Sequence, residues 1–188
     1  MNIKQLGRVS FHTIAFVMYL AAIVKFSQVG PMPHRKPHEE YAGRWKYLTY
    51  WNLWIQLLYF GFSLYIDFKK ASSLNYMKLT HFRDKMYASI ALPYGLFVFA
   101  VFWILYSINR EYIYPQVLDS IFPVWLNHVS HTLIAPMLVI ETWLLRHNHP
   151  KRKAGLSLTV LFGAVYITWV LYLALVMDVW VYPILPKS

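Results

Sequence analysis

No cysteine occurs among the 188 residues. That absence excludes disulfides, thiolate nucleophiles and cysteine-ligated metals, and it leaves the compartment open. Acidic side chains are scarce too, 8 against 18 lysines and arginines, which gives a formal net charge of +10. The most telling gap is charge inside five long runs: residues 9–24, 47–66, 86–108, 120–140 and 154–177 contain no Asp, Glu, Lys or Arg. A soluble core helix carries charge on its wet face at nearly every turn, so the 58% hydrophobic content is not that of a large soluble core.

About 20 mainly apolar residues cross the hydrocarbon core of a bilayer. Four of the runs meet that length, and the first meets it as 9–28 if Lys25 snorkels to the interface. The expected fold is therefore all-α, a polytopic transmembrane bundle of five spans (9–28, 47–66, 86–108, 120–140, 154–177) filling one domain over residues 1–188. Sorted by loop, 11 basic residues fall on the side of the amino terminus against 7 on the other, which predicts a cytosolic amino terminus. The first run is longer than a signal-peptide core and no small-x-small site follows Val24, so it reads as a retained anchor. The basic residues lie between spans and no nucleic-acid recognition module is visible, so a bilayer is the expected partner and nucleic acid is not.

The connections turn rather than span: Gly30-Pro31-Met32-Pro33 with His34, Pro37 and His38, then a basic loop with Lys69-Lys70 and Ser72-Ser73. Tyr112 to Pro115 and Trp180 to Pro183 read as interfacial aromatic belts where proline stops the helix. Pro93, inside the third run, removes a backbone donor and predicts a kink. No internal repeat is apparent, which counts against an inverted-repeat transporter.

Polar groups in lipid-grade helix mark candidate chemistry. Thr49, Asn52, Gln56 and Ser63 share one face of the second span, and Asn127 and His131 are one turn apart on the fourth, with His128 beside them. Two readings stay open. Polar side chains glue transmembrane helices at about 0.6 to 2 kcal/mol each. Alternatively, the even-numbered spans enter from the same side, so Thr49 and His131 share a leaflet half, and a neutral His next to a hydroxyl makes a general base and a nucleophile. Backbone amides inside a helix are already bonded, so Asn52 and Asn127 are the candidate oxyanion donors. Arg44 and Lys46, just before Thr49 at the boundary, are candidates for holding a substrate carboxylate or for anchoring the helix end. The eight histidines are split between the two sides, and His128 with His131 are too few ligands, so no metal and no cofactor are expected.

Arg44-Trp45-Lys46-Tyr47-Leu48-Thr49, Phe82-Arg83-Asp84, Phe102 to Leu105 with Asn109-Arg110, Tyr114-Pro115, Pro123 to Thr132 and Trp180 to Pro183 run in an order and spacing that resemble the androgen-induced and androgen-dependent TFPI-regulating protein family, the second branch most of all. The resemblance implies multi-pass membrane hydrolases that cleave fatty acid esters of hydroxy fatty acids, with Thr49 as nucleophile and His131 as its histidine, in the endoplasmic reticulum or plasma membrane. It also implies a further span after the W-V-Y-P segment, whereas this chain stops at Ser188. The rival expectations are a non-enzymatic membrane protein that signals or binds an unknown protein partner, and a small lipid or proton carrier. A shortage of buried carboxylates counts against the carrier.

Overall fold

The computed structural model describes residues 3–30, 40–69 and 74–182. The turn expected around Pro31 to His38, most of the Lys69-to-Ser73 loop and Pro183 lie outside these residues. Among the described residues the fold is all helix: α1 (Ile3–Gln28), α2 (Leu48–Asp67), α3 (Leu74–Met86), α4 (Leu92–Ile108), α5 (Val124–His131), α6 (Ile134–Leu144) and α7 (Arg152–Leu175), with short 3-10 turns at Gly43–Lys46, Arg110–Tyr112 and Gln116–Ser120. A π-helical turn, Tyr87–Ala91, joins α3 to α4 without a break.

Three helical stretches, Ile3–Gln28, Leu74–Ile108 and Arg152–Leu175, are long and apolar enough to cross a membrane. Their outward faces carry Ile14, Val17, Leu20, Phe97, Ile104, Leu161 and Leu171, all exposed. A soluble monomer does not display apolar surface on that scale, and lipid is the solvent that suits it. Helix α2 differs because it is the innermost element. It is buried on most sides by α1, α3, α4 and α5, which is why it tolerates Asn52, Gln56 and Ser63. On α1 the inward residues His12, Ala15, Tyr19, Ala22, Ile23 and Phe26 recur every three or four positions and pack on α2, with Tyr19 stacked on Phe60 at 5.8 Å between centroids.

The fourth run is not the single span 120–140. It is divided into α5 and α6, with Thr132 and Leu133 both donating their amides to the carbonyl of His128. Pro136 explains the division: it has no N–H for the carbonyl of Thr132, and its ring clashes with that turn. The break leaves His131 at the end of a helix rather than midway along one.

Pro93 likewise has no amide for the carbonyl of Ser89, which instead accepts a hydrogen bond of 2.7 Å from Thr159 Oγ1 of α7. The chain adjusts through the π turn just before the proline. One turn on, a side chain at Gly95 would run into Leu138, Ile134 and Gln56, so glycine allows α4 to close on α6 and α2.

A candidate threonine–histidine site beside an apolar cavity

Thr49 is in the first turn of α2 and His131 closes α5, and their side chains meet: Oγ1 lies 3.2 Å from Nε2. His131 Nδ1 faces Asn127 Oδ1 at 2.8 Å and the Asn127 carbonyl at 3.2 Å. Two acceptors at Nδ1 make it the protonated nitrogen, which leaves Nε2 as the acceptor for the Thr49 hydroxyl. Phe102 stacks on the imidazole at 3.7 Å and 12°, fixing the ring from α4. The result is a hydrogen-bonded Thr–His–Asn set, the geometry that a nucleophile, a base and a group orienting the base require, whatever their chain order.

Position in the first turn changes the backbone around Thr49. First-turn amides have no intrahelical acceptor. Tyr50 and Trp51 donate to the carbonyl of Tyr47, and Leu48 donates to the Tyr166 hydroxyl at 2.9 Å. For the amide of Thr49 the described residues supply no acceptor. Backbone donors are thus not all occupied here, contrary to the expectation for a residue well inside a span.

The hydroxyl opens onto a cavity of about 590 Å³ between α4 and α7. Its wall is apolar, with Pro93, Phe97, Val101, Leu105 and Ile167 among the lining residues, and its polar rim is Thr49, Tyr94, Thr159, Tyr166 and Tyr182. Tyr182 belongs to the segment read from sequence as an interfacial belt. Instead that segment folds back after α7: Val179 and Val181 bury against Leu173 and pack on Tyr47, which delivers Tyr182 to the cavity.

The other sequence candidates are distributed around this centre. Asn52 and Gln56 are fully buried behind it, where Gln56 Nε2 donates to Asn52 Oδ1 at 3.1 Å and to the Ala91 carbonyl at 2.9 Å. Asn127 turns its side-chain oxygen to His131. His128 is exposed and pairs with Thr132 Oγ1 at 3.0 Å, away from Thr49. Arg44 and Lys46 do not line the cavity of Thr49. They line a separate one of about 390 Å³ with Phe26, Glu40 and Tyr47. Arg44 Nη2 donates to the carbonyls of Ser27, at 3.0 Å, and Val29, closing the end of α1.

The sequence reading missed a second polar centre at the opposite end of α2. His12 is fully buried, with Nδ1 2.6 Å from Asp67 Oδ2 and Nε2 2.9 Å from Glu141 Oε2. Tyr59 donates to Glu141, Arg8 pairs with Asp67 at 2.6 Å, and His147 lies 2.9 Å from Asp84 and 3.8 Å from Glu141. Arg83 completes the set on Asp84 at 2.7 Å. The expected shortage of buried carboxylates is therefore corrected: Asp67, Asp84 and Glu141 are all buried. No group of three or more His, Asp or Glu suited to a metal ion occurs among the described residues.

A helical membrane bundle with a half-buried Thr–His–Asn set at the edge of an apolar cavity is the class that this geometry defines. The family described as FAR-17a/AIG1-like protein matches residues 7–188, and the chain belongs to that family. It is 40% identical over 157 residues to androgen-induced gene 1 protein of Homo sapiens, covering 79% of this chain and 66% of the relative. Androgen-dependent TFPI-regulating protein of Homo sapiens is 40% identical over 148 residues (78% of this chain, 64% of the relative), and that of Mus musculus 36% over 176 residues (93% and 76%). The chain spans about two thirds of the length of the human relatives it matches. No solved structure matches.

Proposed function

We propose that the protein is an intramembrane lipid-ester hydrolase, with Thr49 as nucleophile, His131 as general base and Asn127 as the group that orients it. One observation carries the reading: the hydroxyl and imidazole lie 3.2 Å apart, with the right ring nitrogen left to accept, at the edge of an apolar cavity. Helix glue requires the hydrogen bond alone. It has no use for the cavity or for the oriented imidazole.

A lipid ester enters from the bilayer between α4 and α7 and lays an acyl chain along the apolar wall. Thr49 Oγ1 attacks the ester carbonyl as its proton passes to His131 Nε2. The tetrahedral intermediate collapses, and the leaving alkoxide takes that proton and departs as the alcohol. Water then attacks the Thr49 acyl ester with His131 again as base, and the carboxylic acid is released. The substrate class suggested by the family resemblance, fatty acid esters of hydroxy fatty acids, fits the apolar lining because both products are long-chain acids. With the amino terminus in the cytosol, Thr49 works in the leaflet half facing the lumen or exterior.

The test is hydrolysis of such an ester by purified protein. Thr49→Ala and His131→Ala each abolish it at unchanged folding, and the double variant is as inactive as either single one, because the two act as a unit. Retention of most activity by Thr49→Ala removes the nucleophile assignment.

A further inference from the structure

Acyl transfer from a threonine needs a donor for the oxygen that becomes negative, and in a dry cavity that donor matters more than in water. The polar rim offers five side chains. Thr49 attacks, and two of the others are committed: Tyr94 donates to the carbonyl of Thr159 at 2.6 Å, and the Thr159 hydroxyl donates to Ser89 and Gly155. Tyr166 and Tyr182 remain, with their hydroxyl oxygens 2.7 Å apart.

Tyr166 has a single proton and three neighbours. It accepts from the Leu48 amide at 2.9 Å, and it lies 3.1 Å from the Lys46 carbonyl, which can only accept. Two proton arrangements satisfy the pair. In one, Tyr166 donates to Lys46 and Tyr182 donates to Tyr166. In the other, Tyr166 donates to Tyr182, and the proton of Tyr182 is released to point into the cavity. A rotation of two hydroxyls interconverts them, and the chain polarises the terminal donor. Leu48, held by Tyr166, immediately precedes Thr49, so the pair is anchored to the nucleophile's own turn. Packing of Val179 and Val181 on Leu173 and the edge-on contact of Tyr47 with the Tyr182 ring hold Tyr182 in position.

On the reading of Thr49 as nucleophile, we propose that Tyr182 is a catalytic residue that donates its hydroxyl hydrogen bond to the oxyanion, and that Tyr166 is a positioning residue acting through it. When Thr49 Oγ1 bonds to the carbonyl carbon, the carbonyl electron pair moves to its oxygen. Tyr182 turns its O–H to that oxygen without giving up the proton, while Tyr166 turns from Lys46 to Tyr182. On collapse the carbonyl reforms and both hydroxyls return.

The experiment compares wild type, Tyr182→Phe and Tyr166→Phe in detergent micelles. It measures ester hydrolysis, thermal unfolding and affinity for two long-chain ketones, one a trifluoromethyl ketone that adds to Thr49 and one an unreactive methyl ketone. Tyr182→Phe is expected to lower kcat about 100-fold with KM little changed, as removal of one oxyanion donor does. Trifluoromethyl ketone affinity falls by a similar factor and methyl ketone affinity does not. Tyr166→Phe, which keeps Tyr182, loses less. Should Tyr182→Phe fail to fold, the ketone comparison on Tyr166→Phe carries the test, and a selective loss for the adding ketone is again expected. Equal loss for both ketones, or kcat within about threefold of wild type, overturns the assignment of Tyr182. Wild-type protein that hydrolyses no ester and leaves the trifluoromethyl ketone unadded overturns the nucleophile reading itself, a different result.

Discussion

His131 and Asn127, one turn apart on α5, are joined by a 2.8 Å hydrogen bond from Nδ1 to the Asn127 side-chain oxygen. It is the shorter of two contacts, the other being 3.2 Å to the Asn127 carbonyl, that turn Nδ1 away from Thr49 and leave Nε2 to face it. Asn127→Ala is therefore expected to lower turnover up to about 100-fold with binding and folding retained, since a misdirected base costs that much. His128→Gln, altering an exposed side chain turned to Thr132, stays near wild type. Turnover measured in both variants checks this, and the reverse order contradicts it.

The buried centre around Glu141 clamps α1, α2 and α6 together. Glu141→Ala leaves His12 Nε2 and the Tyr59 hydroxyl buried without their acceptor, so it is expected to destabilise the fold by about 3 to 5 kcal/mol. Thr49→Ala, which breaks one hydrogen bond, changes stability far less. Denaturant unfolding of the two variants in micelles measures the contrast.

Val101 faces the cavity from α4. Val101→Trp fills part of the acyl path, so kcat/KM for long acyl chains is expected to drop about tenfold relative to short ones. A chain-length series of esters provides the readout, and a uniform decline places the acyl chain elsewhere.

Arg44 holds the carbonyls of Ser27 and Val29. Arg44→Gln is thus expected to lower stability while leaving the ratio of free-acid to methyl-ester turnover unchanged. Lys46, buried in the same second cavity, is the residue whose neutralisation would alter that ratio if the substrate carboxylate reaches past Tyr47. Measuring the ratio in Arg44→Gln and Lys46→Gln separates anchor from reader.

Much of the helical layout was legible in sequence because the absence of charge over 20 residues is a strong signal: both ends of α2 and α7 and the carboxyl end of α4 fall within two positions of the uncharged runs, whereas the α4 stretch extends back through the charged α3 to Leu74. Thr49, Asn127 and His131 were legible for the related reason that polar groups in such runs stand out. The break after His131 was not, although Pro136 marked it. A proline in an apolar run breaks the helix one turn before its own position, and the absence of charge does not register it. The second polar centre was hidden by the same criterion. Asp67 and Glu141 bound their uncharged runs, which by charge alone places them at the aqueous edge, whereas Arg8 and His12 satisfy Asp67, and His12 and Tyr59 satisfy Glu141, inside the protein. Tyr182 was out of reach because its role depends on a fold-back of residues 176–182 that periodicity does not encode.

The most direct measurement is covalent labelling of the solubilised, folded protein with a fluorophosphonate ester, with the adduct located by peptide mass spectrometry. Thr49 Oγ1 displaces fluoride only if His131 activates it. The prediction is a single phosphonylated site at Thr49, lost in Thr49→Ala and in His131→Ala. A folded wild-type protein that remains unlabelled, or one labelled at another residue while Thr49 stays free, contradicts the assignment of Thr49 and His131 as nucleophile and base.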